Sequence, residues 1–280
     1  MREIDVKTIT EAVAKACIEI NYALSPDMEN ALSRARETEA SALGKEILAM
    51  LAENTETAKN EFIPICQDTG MAVVFIEVGQ EVHFTGGSLT DAINAGVKKG
   101  YEEGYLRKSV VADPLIRVNT NDNTPAVIHT EIVPGDRVSL TVTAKGFGSE
   151  NTSRVFMLKP ADGEEGVKNA VITAVKEAGA NACPPMVIGV GVGGNFEKCT
   201  LMAKHALTRA AGEFSEKQHI ADMEKELLEK INALGIGPAG LGGSTTALAV
   251  NIETYPTHIA GLPVAVNICC HVNRHTHVEL

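Results

Sequence analysis

Ile65-Cys66-Gln67-Asp68-Thr69-Gly70 runs straight into Met71-Ala72-Val73-Val74-Phe75-Ile76. A long polar helical pattern precedes it and the breaker Pro64 separates the two, so the chain changes here from helix to strand. A cysteine, an amide, a carboxylate and a hydroxyl crowd one turn at a strand entrance, where rigid structure holds functional groups in place. The stretch reads in two ways. In one, Cys66 is a soft ligand or nucleophile and Asp68 an acid or base. In the other, Cys66 is a buried thiol and Asp68 caps a turn. The rest of the chain has to decide between them.

Outward from this turn, composition narrows the choice. The chain has 280 residues, 44% apolar and 22% charged, enough for a sizeable core in one large domain or two lobes. Its net charge of −11 argues against general nucleic-acid binding, and the lack of tryptophan removes stacking surface. An anionic substrate would therefore need local Arg or Lys. No stretch approaches a membrane span, and Met1-Arg2-Glu3-Ile4-Asp5 reads as the opening of an acidic amphipathic helix without a signal core, so the expected location is the cytoplasm. There the six cysteines are not expected to pair as disulfides. They show no CxxC spacing, so any metal site gathers ligands from distant turns.

Helices are expected over residues 6–24, from Pro26 with Ser25 as N-cap, and over 42–59 with Leu43, Ile47, Leu48 and Leu51 inward. This N-terminal part reads as scaffold without a site candidate. Ser88 caps a helix over 89–104, and Arg107-Lys108 just past its end reads as dipole compensation or as an anion clamp. Strands over 126–133 and 138–144 are joined by Pro134-Gly135-Asp136. The second exits into Lys145-Gly146-Phe147-Gly148-Ser149-Glu150-Asn151, whose glycines allow close backbone approach to a ligand. Two prolines hold Cys183 on a rigid turn before the strand 186–192. Gly189, Gly191 and Gly194 match GxGxxG, but helix 197–211 leads into another helical segment, 215–233, with no intervening strand, which weakens a dinucleotide reading. Glycines of 235–243 lack the lysine of a P-loop and precede a strand, which leaves an anion-holding backbone turn. His258 lies in a loop before the last strand. There alternation puts Val264, Val266, Ile268 and Cys270 on one face and Ala265, Asn267 and Cys269 on the other. His275 and His277 read as a mobile tail.

Cys66, Cys183 and Cys270 share one context, a strand end or a Pro-fixed turn. Three thiolates can hold a 4Fe–4S cluster and leave one iron open as a Lewis acid, which suits loss of water from a hydroxy acid. At these residues the chain resembles the iron–sulfur class I fumarase and L-tartrate dehydratase family, in particular the separately encoded alpha subunit. The motifs are Cys66-Gln67-Asp68-Thr69-Gly70, Leu106-Arg107-Lys108-Ser109, Lys145 to Asn151, Cys183-Pro184-Pro185, Gly237 to Gly243, and Leu262-Pro263-Val264 through Cys270.

That resemblance implies Cys66, Cys183 and Cys270 as cluster ligands, with strand parity favouring Cys270 over Cys269. It implies that Gln67 and Asp68 contact substrate and that Asp68 moves a proton. Arg107 would pair with a carboxylate, the backbone of Gly146 and Gly148 would donate hydrogen bonds, and His258 would bind substrate and, with Asp68, count among the catalytic residues. The expected fold is mixed α/β (α+β) over a single domain, 1–280, with a helical scaffold at 1–60 and the cluster- and substrate-binding region at 61–280. The implied activity is reversible hydration of fumarate to (S)-malate, a small dicarboxylate, with L-tartrate dehydration as the alternative. A beta subunit would complete the site. A non-catalytic iron–sulfur sensor is the rival of another class, and it leaves the acid, arginine and histidine unexplained.

Overall fold

A computed structural model describes residues 1–280. In chain order the N-terminal part comprises β1 (Arg2–Asp5), α1 (Val6–Tyr22), α2 (Pro26–Thr38) and α3 (Ala42–Glu61). Then come β2 (Met71–Gly79), β3 (Val82–Thr85), α4 (Leu89–Glu103), β4 (Val127–Val133), β5 (Val138–Lys145) and the single turn α5 (Phe147–Glu150). The remainder is β6 (Arg154–Leu158), α6 (Gly163–Ala178), β7 (Met186–Gly193), α7 (Phe196–Ala206), α8 (Gln218–Asn232), β8 (Ala247–Tyr255), β9 (Leu262–Cys269) and β10 (His275–Glu279). This is the expected α+β fold, with a two-stranded and two four-stranded sheets. No helix is long and apolar enough to cross a membrane.

The chain divides into two compact units. The first contains residues 1–25, 55–147 and 274–280; the second contains 26–54 and 148–273. In the first unit the sheet runs β10-β5-β2-β4, with β2 antiparallel to β5 and parallel to β4. Its apolar face (Ala72, Val74, Ile76, Leu140, Val142) packs with Ile9, Val13 and Ile20 of α1 and Ile93 and Val97 of α4. In α4, Gly96 and Gly100 admit α1 closely, since a Cβ at either would lie 2.7 Å from a carbonyl oxygen, that of Thr10 or Ala14. In the second unit the sheet runs β6-β9-β7-β8, with β7 parallel to β8 and antiparallel to β9. Val171 and Val175 of α6 and Leu227 and Ile231 of α8 cover one face. Cys199, Met202 and Ala203 of α7 meet Ala265 of β9 on the other.

Several sequence expectations are corrected. Residues 2–5 form a strand, not the start of a helix, because Arg2–Asp5 pairs in parallel with Val82–Thr85. The C-terminus is no mobile tail, because His275–Glu279 pairs antiparallel with Ser139–Thr143. The two strands expected to be joined by Pro134-Gly135-Asp136 do form, and β2 lies between them in the sheet. Leu43 is 48% exposed rather than inward, whereas Leu48 of the same expected set is fully buried. The Ser25 hydroxyl caps nothing and has no hydrogen-bond partner. The helix expected over 197–211 stops at Ala206, where backbone bonds tighten into successive turns.

The GxGxxG glycines have a packing cause. A Cβ on Gly189 would lie 2.1 Å from Ala203 O and one on Gly191 2.0 Å from Cys199 O, so both let α7 sit directly on β7. That leaves the motif no need of a nucleotide.

Candidate active site

In the first unit the turn at 65–70 is fixed from four sides. The Tyr101 hydroxyl donates to the carbonyls of Thr69 (2.8 Å) and Gly70 (3.0 Å). Asn123, fully buried, donates from Nδ2 to Gly70 O (3.2 Å), and its Oδ1 accepts from Ser109 N–H (2.7 Å) and Val110 N–H (3.2 Å). Ile65 N–H donates to Asn21 O (2.9 Å), and Arg274 Nη1 donates to Asp68 O (2.8 Å). The polar loop 119–125, read from sequence only as a turn, thus supplies a buried brace.

On this frame the Asp68 carboxylate is oriented by two backbone donors, Gly70 N–H to Oδ1 (3.0 Å) and Phe147 N–H to Oδ2 (2.9 Å). A Cβ at Gly146 would sit 3.1 Å from Asp68 Oδ2 and 3.4 Å from Arg274 Nη2, so this glycine leaves an opening beside the carboxylate. The Phe147 N–H, central to the glycine-bearing stretch, is thereby used within the chain. Gly148 lies in the exposed turn α5, with open space on its Cα. Arg107 joins the same locality through buried Thr69, whose Oγ1 accepts from Arg107 N–H (2.9 Å) and donates to Arg107 O (3.2 Å). The Arg107 side chain is exposed and forms no ion pair, so its planar fork is available to a carboxylate. Gln67 is exposed and its Oε1 accepts weakly from Cys66 Sγ (3.4 Å).

In the second unit, Cys183 and Cys270 come to one end of the sheet. Cys183 precedes β7 in a left-handed conformation (φ +52°), and Cys270 follows β9, whose last residue Cys269 pairs with Val187. His271 Nδ1 lies 3.1 Å from Cys183 O and ties the two together. His258 is not brought to them. It lies in the exposed β8–β9 loop, where Nδ1 accepts from Ala260 N–H (3.2 Å), and that loop bonds to Gly194 beyond the far end of β7. The length of β7, about 3.3 Å per residue, separates it from Cys183 and Cys270. Its position in the sequence, before the strand that leads to Cys270, is therefore no guide to its place in space.

None of the six cysteines is in a disulfide, and they divide by accessibility. Cys17, Cys199 and Cys269 are buried, whereas Cys66 and Cys270 are half-buried and Cys183 is exposed. Burial pushes the Cys17 thiol up to about 12 and raises that of Cys199, which keeps both protonated and inert. In neither unit alone do three or more His, Cys, Asp or Glu side chains gather into a metal cage.

The glycine-rich stretch 235–246 does hold an anion, and that anion belongs to the chain. Glu39, 1% exposed, accepts from Ser41 N–H (2.8 Å), Ser244 N–H (2.8 Å) and Thr245 N–H (2.7 Å). Burial acts to raise its carboxyl, but these hydrogen bonds outweigh it and bring it down to about 2.

In the first unit a carboxylate held by two amides thus has an unpaired arginine nearby, and in the second two accessible cysteines lie at one end of the sheet. Residues 10–279 match the family described as fumarate hydratase (fumerase), and the chain belongs to that family, one of lyases acting through water. Among its relatives is a Methanocaldococcus jannaschii protein with the provisional name L(+)-tartrate dehydratase subunit alpha. It is 41% identical over 95% of both chains. The L(+)-tartrate dehydratase subunit alpha of Escherichia coli K12 is 31% identical over 96% of this chain and 89% of its own. The Shigella sonnei protein of the same name matches to the same extent.

Proposed function

We propose that this chain is the alpha-type subunit of a cytoplasmic hydro-lyase that removes water from a small hydroxy-dicarboxylate, with L-tartrate as the favoured substrate. The names of the relatives support tartrate over the fumarate and malate expected from the sequence motifs. Fumarate stays as the second reading because of the family's description.

The observation that carries the chemistry is the division of the cysteines. Accessible Cys66, Cys183 and Cys270 are the thiols suited to hold a 4Fe–4S cluster, and the other three are sealed in packing. Soft thiolates without a fourth protein ligand fit such a group. When bound, the cluster supplies a Lewis acid that makes hydroxide a better leaving group. Asp68 moves the proton, its two amide donors aiming the carboxylate at one spot. Arg107 takes a substrate carboxylate in a forked contact. Gln67 and the backbone at Gly146 and Gly148 orient the substrate, and the opening at Gly146 admits it beside Asp68. His258 stays outside the site of its own chain. A beta subunit supplies the remaining groups and shields the site from water.

The test is an anaerobic assay of the chain, loaded with iron and sulfide, together with its partner subunit. Formation of oxaloacetate from L-tartrate faster than malate from fumarate is the expected outcome. A faster fumarate reaction would reverse the substrate assignment. Absence of either reaction in a complex with an intact cluster would sink the hydro-lyase reading and leave the sensor.

A further inference from the structure

Asn21 closes the last turn of α1, in the part of the chain read from sequence as scaffold, and it is fully buried. Its Nδ2 donates to Cys17 O of the same helix (2.8 Å), which fixes the amide plane. Its backbone oxygen accepts from Ile65 N–H (2.9 Å), and its Oδ1 accepts from Arg274 Nη1 (2.8 Å). The second hydrogen of that nitrogen goes to Asp68 O (2.8 Å). Asn21 thus grips the segment 65–68 at both ends, directly at Ile65 and through Arg274 at Asp68.

Arg274 is 3% exposed, forms no ion pair, and leaves Nε without a partner. A buried guanidinium without a carboxylate bonded to it is costly, so its retention calls for a specific service. Its Nη2 lies beside the Gly146 opening near Asp68 Oδ2, yet both Asp68 oxygens are bonded to backbone amides. The arginine therefore secures the Asp68 main chain and leaves the carboxylate aimed by Gly70 and Phe147.

We propose that Asn21 and Arg274 form a clamp that positions the Cys66-Gln67-Asp68 turn, and that neither residue touches the substrate. The proposal rests on the reading of Asp68 as the proton-moving group. Both are positioning residues, and their loss acts through that turn.

The experiment has two arms, on Arg274→Lys, which keeps the charge, and on Asn21→Ala. Hydrogen exchange of the cluster-free full chain reads the clamp without reference to activity. Exchange at residues 65–70 is expected to rise about tenfold in both variants, with β5 unchanged. Kinetics of the loaded complex with its partner should show kcat down about 30-fold and KM within about threefold, as expected for a displaced catalytic group. Unchanged exchange at 65–70 overturns the clamp, as does a loosened turn with undiminished kcat. A rise in KM with kcat intact overturns it too, because Arg274 would then be binding substrate. A wild-type complex with no hydro-lyase activity defeats the proposed function instead, and exchange alone then decides the clamp. Should Asn21→Ala not fold, Arg274→Lys carries both arms.

Discussion

At the residue scale, what separates the six cysteines is water. Cys17 and Cys199 sit where a thiolate would lose its hydration, and Cys269 faces inward from β9. Cys66, Cys183 and Cys270 sit at chain turns that solvent reaches. Brief treatment of the cluster-free native chain with iodoacetamide should therefore label those three, and peptide mass spectrometry should find Cys17, Cys199 and Cys269 unlabelled. Labelling of Cys17 before unfolding would contradict the burial argument. Asp68 carries the second prediction at this scale. Asp68→Asn keeps an acceptor for one backbone amide and loses the proposed proton-moving group, so kcat should fall by about 10²–10⁴-fold with the fold retained. A loss under tenfold would move the base elsewhere.

At the element scale, Glu39 replaces an external anion in the loop before β8. Its folded-state carboxyl is depressed to about 2 from an ordinary 4.5, so its contribution is complete above pH 4.5 and is lost as pH falls through about 2. Glu39→Gln should cost on the order of 3 kcal/mol at neutral pH. Denaturant titrations of both proteins should converge as pH drops from 4.5 towards 2, and a gap independent of pH would refute the assignment. Gly191→Ala is the matching packing test. A methyl pressed on Cys199 O at 2.0 Å should destabilise by about 1–3 kcal/mol, measured as a lower denaturation midpoint. Local pattern made much of this legible. Pro64 and the apolar run located β2, Ser88 capped α4 as expected, and the alternation in β9 sorted Val264, Val266 and Ile268 from Ala265. What escaped depends on distant partners. Arg2–Asp5 becomes a strand because of Val82–Thr85, and His275–Glu279 because of β5. Glu39 gains its donors from Ser244 and Thr245, about two hundred residues on. Arg274 and Asn21 meet from opposite ends of the chain, and His258 lies a strand's length from Cys270, the strand β9 running between them.

At the scale of the whole molecule, a net charge of −11 runs against the dicarboxylate substrate proposed for this family member. On the proposed reading, unpaired Arg107 beside the Asp68 turn is the local answer, because a forked contact holds a carboxylate against an unfavourable overall field. Arg107→Ala should raise KM by about 10–100-fold, in line with loss of a charge-assisted contact, and a KM unchanged in steady-state kinetics would remove it from the site. The relatives' shared designation as an alpha subunit supports the proposal that a beta subunit completes the site. The central claim is that Cys66, Cys183 and Cys270 bind one cluster together. Its most direct measurement is the iron and sulfide content, with the electron paramagnetic resonance spectrum, of anaerobically reconstituted Cys66→Ser, Cys183→Ser, Cys270→Ser and Cys269→Ser chains. Loss of the cluster in the first three with retention in Cys269→Ser is the predicted result; a full cluster in any of the first three would contradict it.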